Sequence, residues 1–511
     1  MKTVWILGDQ LSREHAALAR TAPGESRVLM IEAKARASVM RYHQLKLTLV
    51  YSAMRHFAQA LRERGWEVDY RLIDETPAFE AGLRHHLEAH RPEAMVLAEP
   101  NSLPETDAIA QLGRKLRVPI EFVPTAQFLV PRDEFRAWAG GQKRLLMENH
   151  YRRMRKQHGW LMQPDGHPIG GAWNFDPENR ETFASWAKAG RPHGRSELRV
   201  EPDAITREVI AMVAREFPES PGSAAKFWLP VDRAGARKWL ALFIRERLPR
   251  FGIYEDMMAE DEPFLFHSVL TPMLNLGLLT PMECVEAAIS AYERGKAPLN
   301  SVEGFVRQII GWREFINGVY WHRGPEYKTV NALGAERPLP AWFYTAETPM
   351  NCLHHVLRQN LELGWNHHIQ RLMVLGNFML IAGINPQEGL RWFNEMYVDA
   401  YDWVMAANVL GMSLYADGGY MATKPYAATS TYIRRMSNYC AGCRFDPNEK
   451  TGPDACPFNY LYWDFIGRHA ERYTPNPRMR AIVGGWMKRD ASSREAVWAS
   501  AARFLEEHVP A

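Results

Sequence analysis

Two thiols one turn apart are the first chemistry in this chain: Cys440-Ala-Gly-Cys443, followed by Cys456 directly before Pro457. Cys352 stands far upstream and could supply a fourth ligand, whereas Cys284, among Val285 and Ala287, reads as core. Such a set can clamp zinc, although structural zinc more often takes a second close pair. It also suits an iron–sulfur cluster, whose cysteines can include one followed by proline. Spacing alone leaves zinc, cluster and free thiols open. Five cysteines in 511 residues exclude a disulfide framework.

A second group is Trp365-Asn-His367-His368-Ile-Gln-Arg371, leading into an apolar helix over 372–381. Adjacent histidines point apart on a helix, while Arg371 shares the face of His368. That spacing suits an anionic ligand; a hydrogen-bonded core histidine is the plainer alternative. A third group, Phe266-His-Ser-Val-Leu-Thr-Pro-Met-Leu-Asn-Leu-Gly-Leu-Leu-Thr-Pro281, offers hydroxyls and backbone N–H groups at a helix start. These can hold phosphate oxygens or simply cap the helix.

Positioning such groups takes a frame. Over residues 1–125, short runs rich in Val, Ile and Leu (3–7, 28–31, 68–73, 94–98 and 120–123) read as buried parallel strands. Leu45, Leu49, Ala53, Phe57 and Leu61 form a helical stripe among them. The sequence thus predicts an α/β, doubly wound, Rossmann-like domain over 1–125. Its first turn, Gly8-Asp9-Gln10, has neither G-x-G-x-x-G nor a Walker A loop, so a standard NAD or ATP site is not expected. Residues 126–235 read as a long interdomain connection rich in Gly, Pro and charge. It contains one helical piece over 143–158 and an ordered loop over 170–180. The helical piece carries Lys143, Arg144, Arg152, Arg153, Arg155 and Lys156, a solvated or interdomain face or a phosphate-contacting patch. From 236 to 511 the pattern is all-helical and punctuated by proline.

Apolar residues at 46% and charged residues at 24% are globular values, and 62 basic against 59 acidic residues give a net charge of +3. That excludes a histone-like polycation but not a locally basic groove. No apolar run reaches the ~20 residues that span a bilayer. The first residues lack the pattern of a signal peptide, so a cytoplasmic protein is expected. Seventeen tryptophans fill core, carry electrons or stack bases.

In combination these groups resemble one family. His-Ser-Val-Leu-Thr-Pro-Met-Leu is similar to the flavin-phosphate motif T-S-x-L-S-P-x-L of the photolyases and cryptochromes. Val306-Arg-Gln-Ile-Ile-Gly-Trp-Arg-Glu-Phe315 resembles that family's E-L-I-W-R-E-F helix with one residue more before Trp312. Trp365-x-His-His-x-x-Arg371 resembles its W-M-H-N/H-x-x-R box. The four cysteines, the ILGDQLS opening and YAATSTYIRRMSNYC resemble the bacterial iron–sulfur branch, prokaryotic (6-4) photolyases included. The resemblance spans nearly the whole chain and implies an α/β antenna domain followed by an all-α FAD domain.

It implies FAD held by Tyr254, His267, Ser268, Leu270 and Thr271 at the phosphates and ribityl, with Gln308, Trp312 and Arg313 lining the cavity. Arg371 would pair with Asp399 or Asp402, and Asn408 would face flavin N5; the family's D-x-D-x-x-x-N spacing is stretched here. Cys352, Cys440, Cys443 and Cys456 match the ligands of a 4Fe–4S cluster, read as structural. The implied activity is light-driven repair of (6-4) photoproducts in UV-damaged DNA, with His368 as proton donor and His367 and Tyr426 as neighbours. Where (6-4) enzymes elsewhere carry a second histidine, this chain has Leu372. Trp392 and Trp342 would carry electrons, with Phe393 where the branch often has tyrosine. Gly8, Asp9, Gln10 and Glu32 match an antenna site for 6,7-dimethyl-8-ribityllumazine, although Arg36 and Val39 depart from it. A monomer is expected. The rival expectations are a signalling cryptochrome, a cyclobutane-dimer photolyase and a nucleic-acid binder with an iron–sulfur domain such as a primase large subunit.

Overall fold

A computed structural model describes residues 1–509. Five parallel strands, β1 (Lys2–Trp5), β2 (Ser26–Ile31), β3 (Val68–Arg71), β4 (Met95–Ala98) and β5 (Ile120–Val123), lie in the order β3-β2-β1-β4-β5. Val4 pairs with Val28 on one side and Val96 on the other. β1, β2 and β4 are buried almost throughout, which is why their sequences run apolar rather than alternating. The strand order reverses direction beside β1, so the crevice past the carboxyl ends of β1 and β4 is where such a sheet takes ligands. Gly8-Asp9-Gln10 and Asn101 sit at that edge, and Asn101 Nδ2 donates to Asp9 Oδ2 at 3.1 Å.

The connection after the sheet carries more helix than its composition suggests. Besides Met147–His158, it forms Arg132–Gly140, Phe183–Lys188 and Ala204–Glu216. The last begins at Asp203, whose carboxylate accepts from Thr206 N, and buries Val209, Met212 and Val213. Arg132–Gly140 and Phe183–Lys188 are too short to leave much periodicity to read. The loop over 170–180 contains two 3-10 turns, Ile169–Gly171 and Asp176–Glu178.

The remainder is helical. Four segments widen into π-turns among the described residues: Phe243–Arg247, Arg307–Arg313, Gln370–Gly376 and Ala406–Ser413. Three of the four carry residues of the candidate site, in keeping with the tendency of such turns to mark functional positions. Arg307–Arg313 also coincides with the one-residue extension before Trp312: an extra residue in a helix that must keep its ends in place is absorbed as one wide turn. One large core runs from Val4 and Leu45 into Val302, Phe315 and Trp403. A second gathers Phe343, Phe378, Trp392, Phe458 and Phe504 around the C-terminal helices.

Candidate functional site

Three imidazoles form its centre. His267 stacks on His367 with ring centroids 4.3 Å apart and an 11° interplanar angle, and His368 stands edge-on to both. His267 precedes the helix Thr271–Leu276, and His367 and His368 precede the π-turn Gln370–Gly376, so two chain segments meet here. His267 and His367 are buried, and burial pushes both far below the ordinary imidazole value, leaving neutral rings. Nε2 of His267 and both ring nitrogens of His367 are buried with no protein partner. Polar atoms sealed away without a protein partner are costly, so these nitrogens are available to a bound group or to buried water. His368 differs: it is 46% exposed, and its Nε2 lies 3.5 Å from Asp256 Oδ1. The Tyr432 hydroxyl faces the same carboxylate.

Beneath the imidazoles, Arg371 grips Asp399 with both arms, at 2.9 and 3.0 Å, and donates from Nε to Asn366 O. Asn275, on the helix after His267, donates to Asp399 O at 2.8 Å and joins the two segments. The carboxylate of Asp402 points elsewhere, to the Tyr320 hydroxyl at 2.7 Å and Lys328 Nζ at 2.8 Å. Of the two acids weighed from sequence, Arg371 therefore takes Asp399.

On a further wall Gln308 Nε2 donates to Glu255 Oε1 at 3.1 Å, and Asn179 Nδ2 approaches Oε2 at 3.4 Å. Burial raises the Glu255 carboxyl to about 7, opposed by the nearby charge of His368. Tyr254 stacks on Phe266 at 5.4 Å. Ser268 gives its carbonyl to Trp239 Nε1, and Leu270 and Thr271 begin the buried helix. Trp312 and Asn408 are half-buried; Asn408 Nδ2 donates to Val404 O within its own helix. Arg313 lies apart from the histidines, its guanidinium 4.3 Å from the Phe128 ring and 5.1 Å from Trp403, with Glu314 beside it. Tyr426 is half-buried near Asp176 and Arg478, and burial raises its phenol above the ordinary value.

An aromatic file leads away from Arg371. The guanidinium lies 3.9 Å over the Tyr397 ring; Tyr397 meets Trp392 edge-on at 5.8 Å, Trp392 meets Phe343 at 5.3 Å, and Phe343 stacks on Trp342 at 4.5 Å. Trp392 is fully buried, whereas Trp342 is half-buried with Nε1 donating to His508 O. Tyr397 and Phe343 are the members that sequence reading missed. Nothing in their local spacing sets them apart from other core aromatics.

The cysteines converge on a small pocket lined by Cys352, Cys440, Cys443 and Cys456 with apolar neighbours. Cys352 opens the helix Asn351–Leu363, Cys440 and Cys443 share one turn, and Cys456 caps the helix Pro457–Arg468. Tetrahedral zinc, with Zn–S bonds of about 2.3 Å, draws its sulfurs to about 3.8 Å from one another. Among the described residues no three of these sulfurs lie within 4.8 Å of one another. Four thiols from three chain segments around an apolar pocket can hold a metal centre. Burial and the neighbouring thiols raise Cys352 well above the ordinary thiol value, and burial lifts Cys440 to about 11 and Cys456 to about 12. As thiolates these groups need a cationic centre to hold them. Next to Cys440, Tyr439 accepts from Gln370 Nε2 at 3.0 Å, and Gln370 Oε1 accepts from His367 N. The cysteine segment thus buttresses the histidine box.

At the sheet crevice Asp9 is buried, which lifts its carboxyl to about 7, and Gln127 Nε2 donates to its carbonyl at 2.6 Å. Gln10 donates to Ala98 O and Glu99 O. The Tyr401 hydroxyl, Gln10 Oε1 and Asn101 Oδ1 are buried without a partner, and Lys46 lies 4.3 Å from the Tyr42 ring. A side chain on Gly8 would press on Met54 Sδ. Glu32 stands outside this pocket's chemistry: Arg55, the Tyr70 hydroxyl and Ile73 N take up its oxygens. Arg36 pairs with Glu105, and Val39 is 65% exposed.

Residues 4–229 match the family described as Deoxyribodipyrimidine photo-lyase-related protein. A (6-4) photolyase of Agrobacterium fabrum (strain C58 / ATCC 33970) is 41% identical over 512 residues, covering 99% of each chain. An uncharacterized protein of Acanthamoeba polyphaga mimivirus, R855, is 39% identical over 101 residues, 20% of this chain and 75% of that one. In fold, the crystal structure of a bacterial class III photolyase from Agrobacterium tumefaciens aligns over 99% of this chain and 98% of its own, with a TM-score of 0.55 at 17% identity. With a relative this similar along its entire length, the chain belongs to the photolyase family.

Proposed function

We propose that this protein repairs (6-4) photoproducts in UV-damaged DNA, driven by light absorbed in a bound FAD. The carrying observation is the imidazole trio: two buried, neutral rings with free nitrogens beside one half-exposed ring held by Asp256. Free His267 and His367 nitrogens, the Arg371–Asp399 pair and Gln308 fit a flavin with its phosphates near the helix Thr271–Leu276. When bound, reduced FAD supplies the electron that opens the lesion.

The chain's own residues do the rest. His367 is neutral and enclosed, so it packs and positions; His368, open to solvent, is the proton donor at the lesion. Asp256 holds the His368 ring by its outer nitrogen. A lesion flipped out of the duplex would be met by His368 and Tyr426, with phosphates gripped by rim cations such as Arg478. Trp342 and Trp392, joined through Phe343, with Tyr397 between Trp392 and Arg371, would carry electrons inward toward a bound flavin. Cys352, Cys440, Cys443 and Cys456 hold a 4Fe–4S cluster of structural role. Free polar atoms at Gln10, Asn101 and Tyr401 suit a lumazine-type antenna chromophore beside Asp9, without Glu32. Illuminating reduced protein with oligonucleotides carrying a (6-4) product or a cyclobutane dimer, then separating the products, tests this reading. Restoration of the dimer alone would favour cyclobutane repair, and restoration of neither would favour a cryptochrome.

A further inference from the structure

A second set of ligating side chains stands on the sheet edge, away from the imidazole trio. On the helix Phe79–His90, His86 and His90 are four residues apart and face the same way, toward Asp69 on the edge strand β3. His86 Nδ1 lies 2.7 Å and His90 Nε2 3.5 Å from Asp69 Oδ2, and all three ligand atoms fall within 4.8 Å of one another. Zinc with bonds of about 2.0 Å spaces tetrahedral ligands by about 3.3 Å, so small side-chain adjustments suffice.

The surroundings suit ligation. His86 Nδ1–H donates to Asp69 Oδ2 at 2.7 Å, and Nε2 meets Thr3 Oγ1 at 2.9 Å on β1; an entering ion would displace the Nδ1 proton, and the ring would then donate from Nε2 to the Thr3 hydroxyl. Arg71 Nη2 donates to Asp69 Oδ2 at 3.0 Å while its Nε lies 2.8 Å from Oδ1, which orients the carboxylate; an ion would share Oδ2 with this guanidinium or take Oδ1. Arg27, the other cation near His90, is paired with Glu67 at 2.5 Å, so the surroundings are close to neutral before any ion enters. His86 is buried and His90 is 26% exposed, leaving a way in for an ion and a fourth position for water.

We propose that Asp69, His86 and His90 bind a divalent transition ion of the zinc class. Two imidazoles and one carboxylate favour Zn2+, Co2+ or Ni2+ over Mg2+ and Ca2+, which prefer all-oxygen shells. The ion ties the helix Phe79–His90 to the edge strand β3 and is independent of the light chemistry. The test is Zn2+ titration of the whole protein with flavin and iron in place, followed by calorimetry and by X-ray absorption at the zinc edge. One equivalent is expected, with two imidazoles and one carboxylate in its shell. His90→Ala removes a partly exposed ring that packs on His86 with centroids 4.8 Å apart and lies 3.5 Å from Asp69, so the fold is retained. That variant and Asp69→Asn should each weaken this equivalent by about tenfold or more. An affinity unchanged in His90→Ala, or an equivalent lost with His367→Ala instead, would overturn the assignment.

Discussion

Arg371 lies flat over Tyr397, 3.9 Å from the ring centroid, while both its arms hold Asp399. The Tyr397 hydroxyl donates to Asn366 Oδ1 at 2.8 Å, and an amide oxygen is no base. A cation above the ring and no proton acceptor make this tyrosine hard to oxidise. It bridges toward Trp392 without holding the radical. Tyr397→Phe should therefore photoreduce flavin near the wild-type rate, Tyr397→Leu should be much slower, and Trp392→Phe slowest. Flash spectroscopy should record a tryptophan radical and no tyrosyl radical. Equal rates in all three variants would reduce these rings to core packing.

Asp399→Ala leaves the Arg371 charge with little water to solvate it. Breaking a buried pair on one side costs about 3–5 kcal/mol. Denaturant unfolding should show a loss of that order, together with weakened flavin retention. An unchanged midpoint would mean that Arg371 finds another partner.

Cys440→Ser should bleach the broad visible absorption of an iron–sulfur centre and lower the iron content. The damage should spread to the histidine box through Tyr439, Gln370 and His367. Chelation of iron from the wild type should have the same effect, since a metal centre of this kind contributes to folding. One zinc per chain and no iron would contradict the cluster.

Glu255 gives a pH signature. Its carboxyl titrates at about 7 when folded, against an ordinary 4.5. Between those values the folded chain keeps a proton that the unfolded chain has lost, so stability falls as pH rises from about 4.5 to about 7. A tenfold difference in proton affinity between the two states is worth about 1.4 kcal/mol, so the loss across this window sums to the order of 3 kcal/mol. Glu255→Gln should flatten that slope, read from urea midpoints across the pH range. A slope unchanged in the variant would assign it to other groups.

Motif spacing carried the sequence reading further than periodicity did. Strand runs were legible because a parallel sheet buries both faces, so Val28 and Val96 sit in unbroken apolar stretches. The cysteines and the His367–Arg371 box were legible because their chemistry fixes residue type. The helix Ala204–Glu216 was masked by the Gly, Pro and charge of the surrounding stretch, although Ile205, Val209, Met212 and Val213 keep helical spacing and the helix packs along Gln44–Glu63. The extra residue before Trp312 gave no hint in itself of how it fits; the π-turn Arg307–Arg313 supplies the answer. Asn275 and Tyr397 act through partners distant in sequence, and Glu32 spends its matching carboxylate on Arg55 and Tyr70.

The most direct measurement is single-turnover repair of a (6-4) oligonucleotide by reduced wild-type protein and by His368→Ala under blue light. Losing a general acid costs ~10²–10⁴-fold in rate. The variant should therefore bind FAD and damaged DNA as the wild type does and repair at a rate reduced by that factor. Equal repair by the variant would contradict the role of His368, and a wild type that binds both yet restores no (6-4) lesion would contradict the function itself.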